Sequence, residues 1–232
     1  MSARRALLER LVDHAALFPP ASLSTADALA EDRRARAGEH AWMLGRFVCP
    51  ASRLAELGDE ERALSVVLDA SASDRRIEAL EVRWAGGQLE YTGEVYVEDM
   101  PLDDVAAAGH RAKVRCGGER VPTVEELGAF VRGCRERGLV FKATAGLHHA
   151  YPTAAGEHGF LNLLAAAVFG DEDAALRAPA GSFALDDAAF RWGGRAAPAA
   201  EIARVRAGLF HSIGSCSFFE PVAELEELGF LA

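Results

Sequence analysis

Residues 111–147 read RAKVRCGGERVPTVEELGAFVRGCRERGLVFKATAGL, and this stretch contains the unit that decides the fold. Apolar runs at 112–116 and 139–145 are typical of buried strands. Between them, Thr123 follows a proline and is a start signal for a helix over Val124–Arg137. A strand, a helix and a second strand in this order predict two parallel strands joined by a helical crossover.

The same alternation extends over the rest of the chain. Further strands are expected at 12–17, 42–49, 64–68, 80–84, 94–98 and 209–214, which makes eight with the two above. Helical patterns lie at 3–11, 22–38, 51–57, 159–169, 199–206 and 221–228. Eight such units in 232 residues favour a compact (β/α)8 barrel of the α/β class. An open doubly wound sheet is the alternative, but its glycine-rich phosphate turn after the first strand is absent.

We expect one domain over residues 1–232, because no repeat, low-complexity tract or polar linker divides the sequence. Residues 171–197 contain proline and several glycines and indicate an insertion between the seventh and eighth strands. The strands between 64 and 112 leave little room for full helices. One or two outer helices are therefore expected to be reduced or missing.

Composition excludes several classes of partner. The formal net charge is −10, and no basic block is interleaved with aromatic residues, so neither nucleic acid nor an anionic membrane is an expected partner. The start of the chain is charged, unlike a signal peptide, and the apolar run Phe160–Phe169 is too short to cross a bilayer. We expect a cytoplasmic protein. Its four cysteines lack metal-ligand spacing and are expected to be free thiols, with neither a metal nor a cofactor bound.

The basic residues are unusual in kind. Of 25 Lys and Arg residues, only Lys113 and Lys142 are lysines, and both lie in short apolar, strand-like segments. Arginine does not lose its proton in a protein, whereas burial can lower the pKa of a lysine until it acts as a nucleophile or base. Both lysines are therefore candidates for catalysis.

Alternation within the predicted strands places polar side chains together. The pairs and groups on common faces are Lys113 with Arg115, Lys142 with Thr144, Glu81 with Arg83, and Glu94 with Tyr96 and Glu98. In a barrel these faces converge at the carboxyl ends of the strands, where active sites of this fold are built. Two nearby lysines suit carbonyl activation, since one amine forms a Schiff base while the second ammonium lowers the pKa of the first and a carboxylate carries the proton.

Seven short segments carry a resemblance to a known family. They are LVDHAAL (11–17), FVCP (47–50), LEVR (80–83), EVYVE (94–98), KVRCGG (113–118), FKATAGL (141–147) and HSIGSCS (211–217). In this order they resemble segments of the class I, Schiff-base aldolases typified by deoxyribose-phosphate aldolase. The resemblance implies a lyase that makes or breaks a carbon–carbon bond next to a small oxo compound.

The resemblance also implies roles for individual residues. Lys113 would form the Schiff base, Lys142 would tune it, and Glu81, in place of the family's Asp, would relay protons with help from Asp13. The residues expected to bind the substrate are Glu98, Arg115, Thr144, Gly146, His148, Ser215 and Ser217. Arg115 replaces a small residue of the family, and Phe218 and Phe219 replace a glycine-type continuation. We therefore expect a substrate that is either unphosphorylated or carries a carboxylate held by Arg115.

Other interpretations stay open. The histidines, His148 and His149 among them, could serve a metal-dependent hydrolase or isomerase, although adjacent residues on an extended strand point in opposite directions and no H-x-H or H-E-x-x-H spacing exists. A barrel that only binds a small metabolite is a third class. The lysines could also be structural, Asp13 could merely cap a turn, and Asn162 is expected to be a buried structural amide. By analogy with other barrels, the chain could form a homodimer.

Overall fold

Eight parallel strands close into a barrel in a computed structural model that describes residues 1–87 and 91–231. In chain order they are β1 (Val12–His14), β2 (Leu44–Pro50), β3 (Leu64–Val67), β4 (Ile77–Arg83), β5 (Val95–Glu98), β6 (Arg111–Arg115), β7 (Phe141–Thr144) and β11 (Phe210–Ser215). The three strands between β7 and β11 in the chain belong to a separate small sheet. The β11 strand pairs with both β7 and β1, and β1 pairs with β2, which closes the ring. The predicted (β/α)8 barrel is confirmed.

Helices cover the outside of the barrel. They are α1 (Ala3–Leu8), α2 (Thr25–Ala37), α3 (Leu102–Ala107), α4 (Val124–Arg137), α5 (Phe160–Phe169), α6 (Glu172–Leu176), α7 (Ala199–Gly208) and α8 (Phe219–Glu227). In the described part of 64–112, the six-residue α3 is the only helix, as expected for a barrel with reduced outer helices. No helix among the described residues is long and apolar enough to cross a membrane.

Local signals in the sequence define α4 well. The Thr123 hydroxyl accepts from the Glu126 amide, and the Glu126 carboxylate accepts from the Thr123 amide, which is a capping box. The helix ends at Gly138, whose φ of 62° suits glycine. Phe130 of α4 packs edge-on against Phe141 of β7 at 5.4 Å between ring centroids. Because Phe141 faces the helix, its neighbour Lys142 faces the barrel interior.

A small antiparallel sheet lies between α6 and α7. Its strands are β8 (Ala184–Leu185), β9 (Ala189–Trp192) and β10 (Arg195–Pro198). Phe190 and Trp192 of this sheet pack against Phe169 of α5 and against Phe183. The sheet thus covers apolar surface of α5 outside the barrel.

Two predicted strands end earlier than expected. The first strand ends at His14, since the amide of Phe18 bonds to the carbonyl of Ala15 and turns the chain there. The helical pattern expected at 51–57 forms a 3₁₀ helix over Ala51–Leu57. The seventh strand ends at Thr144 because Ala145 and Gly146 have φ values of 60° and 67°, outside the range of a strand.

Candidate active site

A cavity of about 480 Å³ opens at the carboxyl ends of the barrel strands. Charged side chains of Glu81, Lys113 and Arg115 lie in its wall. The apolar residues that line it are Ala15, Phe18, Pro19, Pro20, Val48, Val67, Val121 and Ala145. A concave, mostly apolar site with a few convergent charges is the usual form of a small-molecule pocket.

Lys142 lies beneath this cavity and is fully buried. Its Nζ is 2.7 Å from Asp13 Oδ2 and 2.6 Å from Glu81 Oε1. Burial by itself lowers the pKa of Lys142, but the charges of Asp13 and Glu81 outweigh burial and raise that pKa above its ordinary value. Lys142 is therefore held as an ammonium between two carboxylates.

Lys113 occupies the neighbouring strand at the same level, and its Cα is the pairing partner of the Lys142 Cα. Its Nζ is 2.9 Å from Glu81 Oε2 and 3.1 Å from Glu98 Oε2. Unlike Lys142, Lys113 borders the cavity, with 8% of its side chain exposed. The two lysines thus differ in access although both face the interior.

Glu81 bridges the two lysines, with one carboxylate oxygen on each ammonium. The Ser65 hydroxyl donates to its Oε1 at 2.7 Å. Burial alone would raise the pKa of Glu81, but the charges of Lys142 and Lys113 outweigh it and hold that pKa well below its usual range. Glu81 is consequently ionised, and it lies next to Lys113, which borders the cavity.

Hydrogen bonds from two residues outside the cavity hold the Asp13 carboxylate in place. Its Oδ1 accepts from the Arg46 amide and its Oδ2 from the Ser212 hydroxyl, both at 2.8 Å. A Cβ at Gly45 would overlap the Asp13 carboxylate, so this close approach needs glycine. The interpretation of Asp13 as a turn cap is therefore wrong. Asp13 and Ser212 also border a second cavity, of about 170 Å³, at the opposite end of the barrel.

The loops after the two lysine strands touch through their backbones. A Cβ at Gly117 would lie 2.8 Å from Gly146 Cα, and a Cβ at Gly146 would lie 2.8 Å from the Cys116 carbonyl oxygen. Glycine at both positions lets the loops after β6 and β7 approach each other closely at the cavity wall. Gly146, expected to bind substrate, lines the cavity and also has this packing role.

The other residues expected to bind substrate are divided between cavity and surroundings. Thr144, Arg115 and His148 line the cavity. Glu98 instead contacts Lys113, and Ser215 lies buried with its hydroxyl 3.3 Å from His148 Nδ1. The Ser217 hydroxyl accepts from the amides of the first two residues of α8 and so caps that helix.

The histidines are dispersed over the structure. His148 and His149 lie on a loop, not on an extended strand, so the expectation that they point in opposite directions because of strand geometry was wrong. His148 Nδ1 is 3.4 Å from Glu220, whereas His149 bonds to Glu224 at 2.5 Å, which raises the pKa of His149. Within residues 1–87 and 91–231, no group of three or more His, Cys, Asp or Glu side chains is arranged to hold a metal ion.

Asn162 has a structural position, as expected. Its side-chain amide donates to the carbonyls of Ala175 at 2.8 Å and Ala178 at 2.9 Å. These bonds join α5 to the end of α6, away from the cavity.

The two lysines form a charge cluster with Asp13, Glu81 and Glu98. The sequence did not identify several residues that contact this cluster. Ser65 and Ser212 interrupt apolar strand-like runs, and that interruption is the signal that could have identified them. Gly45 and the Arg46 amide gave no such signal, because their contact with Asp13 depends on how β1 and β2 pair.

Comparisons with protein-family models, with curated proteins and with solved structures find no match to this chain.

Proposed function

We propose that the protein is a lyase of the aldolase type, which forms a Schiff base between Lys113 and a small oxo compound. The observation that carries the proposal is the contrast between the lysines. Lys113 borders the cavity, while Lys142 is buried behind Glu81 as a fixed ammonium. A nucleophilic amine beside a second cation and an ionised carboxylate is the arrangement that Schiff-base chemistry requires.

The first step is the loss of a proton from Lys113. Glu81 and Glu98 are the acceptors, at 2.9 and 3.1 Å. The positive charge of Lys113 is one of the two that lower the pKa of Glu81, so its loss makes Glu81 a better proton acceptor. The neutral amine then attacks the carbonyl carbon to give a carbinolamine.

The carboxylic acid formed in that step next acts as a general acid. It returns its proton to the carbinolamine hydroxyl, water leaves, and an iminium ion forms. A carboxylate then takes the proton of the substrate's hydroxyl group, and the electron pair of the breaking carbon–carbon bond moves onto the iminium, which yields an enamine and releases an aldehyde. Protonation of the enamine and hydrolysis of the iminium regenerate Lys113. The role of Lys142 is to stay charged and to hold Asp13 and Glu81 in place.

The test is reductive trapping. Cyanoborohydride with a panel of small aldehydes and ketones, followed by peptide mass mapping, should label Lys113 in preference to Lys142. Only the α-amine of the chain would compete, because the sequence has no other lysine. The variant Lys113→Arg should abolish labelling and turnover, since arginine keeps the charge but is no nucleophile.

Lys142→Met is the matched control and should keep Lys113 as the labelled residue. Circular dichroism should verify that each variant is folded. Turnover that survives in Lys113→Arg would exclude Lys113 as the Schiff-base residue, and turnover in a variant lacking both lysines would exclude the mechanism.

A further inference from the structure

Arg115 lies in the cavity wall and makes only a long contact with the carboxylates around the two lysines. The Arg115 side chain is 49% exposed, and its nearest carboxylate contact is 3.8 Å, from Nε to Glu98 Oε1. Among the described residues, its guanidinium donates no hydrogen bond within 3.5 Å. By contrast, Arg76 donates to both Asp74 oxygens and to two carbonyls. The planar donor group of Arg115 is thus free to bind a ligand.

Space for this guanidinium is provided by Gly118. A Cβ there would lie 2.9 Å from Arg115 Nη2, and the φ of 93° at this residue favours glycine as well. The guanidinium therefore lies over the loop that follows β6, at the side of the cavity.

Arg115 and Lys113 lie two residues apart on β6 and both border the cavity. Residues at this spacing point to the same side, and their Cα atoms are roughly 6.6 Å apart. One small molecule can therefore place its carbonyl at Lys113 and an anionic group at Arg115.

In this protein, the position where many barrels bind phosphate is not suited to binding a phosphate group. Such sites use the loops after strands seven and eight and the start of a nearby helix. In this chain the Ser217 hydroxyl already accepts from the amides of Phe219 and Glu220 at the start of α8. The Glu220 carboxylate lies 3.4 Å from His148, and Glu157 lines the cavity. Two nearby carboxylates would repel a phosphate dianion.

We propose that the substrate of this site is a short 2-oxo acid, whose carboxylate is bound by Arg115 while its carbonyl carbon is attacked by Lys113. Arginine matches a carboxylate with two parallel hydrogen bonds. The apolar rim of the cavity, formed by Phe18, Pro19 and Val121, then receives the carbon chain of an aldehyde. This inference rests on the proposed Schiff-base mechanism.

The reaction class follows from that assignment. The enamine formed from the 2-oxo acid attacks the aldehyde carbon through its third carbon, and a new bond forms between them. The aldehyde oxygen takes the proton of a carboxylic acid, and water hydrolyses the iminium. The product is a 4-hydroxy-2-oxo acid, and cleavage is the same sequence in reverse.

The experiment compares pyruvate with pyruvamide, its neutral isostere, in cyanoborohydride trapping at Lys113. In the wild type, half-maximal labelling should need about 10- to 100-fold less pyruvate, the range expected for a charge-assisted bidentate contact. Arg115→Met should remove this difference, so that half-maximal labelling needs the same concentration of pyruvate and of pyruvamide. Arg83→Met is the matched control, because Arg83 also ends a strand but pairs with Asp99 at 2.8 Å. It should behave like the wild type.

Equal labelling by pyruvate and pyruvamide in the wild type would overturn the inference and leave the Schiff-base proposal intact. Two other results would also overturn the inference without touching the Schiff-base proposal. One is that pyruvate still labels Arg115→Met at lower concentration than pyruvamide, and the other is that dihydroxyacetone phosphate labels the wild type at lower concentration than pyruvate. Failure of every carbonyl compound to label Lys113 would instead contradict the proposed function.

Calorimetry with lactate and lactamide, which form no Schiff base, tests the carboxylate site by itself. Tighter binding of lactate that is lost in Arg115→Met supports the site, and equal binding of both compounds refutes it.

Discussion

Replacing Lys142 with methionine removes the cation that lies between two buried carboxylates. Asp13 and Glu81 are each 1% exposed, and both contact the Lys142 ammonium within 2.7 Å. Breaking a buried ion pair by removing one partner typically costs about 3–5 kcal/mol, because the other charge is left without compensation. Lys142→Met should therefore lower the free energy of unfolding at pH 7 by this amount. For a chain of this length, the melting temperature should fall by roughly 6–20 °C.

The pH dependence of this loss has a definite sign. In the wild type, the pKa of Glu81 is lowered on folding, so its stabilising contribution is present above the unfolded pKa and is lost as the pH falls through the folded pKa. In Lys142→Met, mainly the charge of Lys113 remains to offset the effect of burial on Glu81, so the pKa of Glu81 should be higher than in the wild type. Protonation of Glu81 in the variant then removes its uncompensated buried charge. The difference in unfolding free energy between the wild type and Lys142→Met should therefore narrow from pH 7 to pH 5.

Urea unfolding followed by circular dichroism at pH 7, 6 and 5 measures both effects. The control is Arg137→Met, which removes an ion pair to the exposed Asp103 and should cost less than about 1 kcal/mol. A loss below about 1 kcal/mol in Lys142→Met would refute the buried ion-pair arrangement. So would a difference from the wild type that stays constant or widens on acidification.

Three further outcomes are expected. A Cβ at Gly45 would overlap the Asp13 carboxylate, so Gly45→Ala should destabilise the protein by roughly 1–3 kcal/mol and slow Schiff-base trapping, whereas Gly208→Ala, where a Cβ meets nothing within 4 Å, should not slow it. Burial raises the pKa of all four thiols, to about 12 for Cys49, Cys116 and Cys134. Cys216 lines the cavity, so it should react first with a small thiol reagent and be protected by pyruvate; earlier labelling of another cysteine would contradict the assigned cavity. Elemental analysis should find less than one equivalent of zinc, manganese or magnesium, and a bound equivalent with chelator-sensitive activity would favour the metal-dependent alternative.

The barrel could be predicted because its strands are buried on both faces. Such strands appear in the sequence as short apolar runs between helical patterns, and this alternation identifies the fold class without any relative. The same burial makes polar residues within the runs conspicuous. Lys113, Glu81 and Lys142 were identified in this way, and the structure joins all three in one hydrogen-bonded and ion-paired cluster.

Details that depend on pairing between strands could not be predicted. The register of β1 against β2 shifts between Val12 and His14, and this shift brings the Arg46 amide and Gly45 against Asp13. No local sequence pattern encodes such a shift. The end of β7 was missed for a related reason, because an alanine at 145 has a positive φ that its residue type does not signal.

In the proposed mechanism, the charges around Lys113 also decide which intermediate is stabilised. Glu81 and Glu98 lie 2.9 and 3.1 Å from its nitrogen and stabilise a positive charge there, whether that of an ammonium or of an iminium ion. The neutral carbinolamine between those two states lacks this interaction. A carboxylate on the substrate would add a third negative charge beside the nitrogen, and it is tolerable only if another cation offsets it. Arg115 lies in the cavity wall, and its nearest carboxylate oxygen, on Glu98, is 3.8 Å away. If the proposed mechanism holds, the binding of the substrate's carboxylate and the stability of its iminium ion should therefore depend on the same residue.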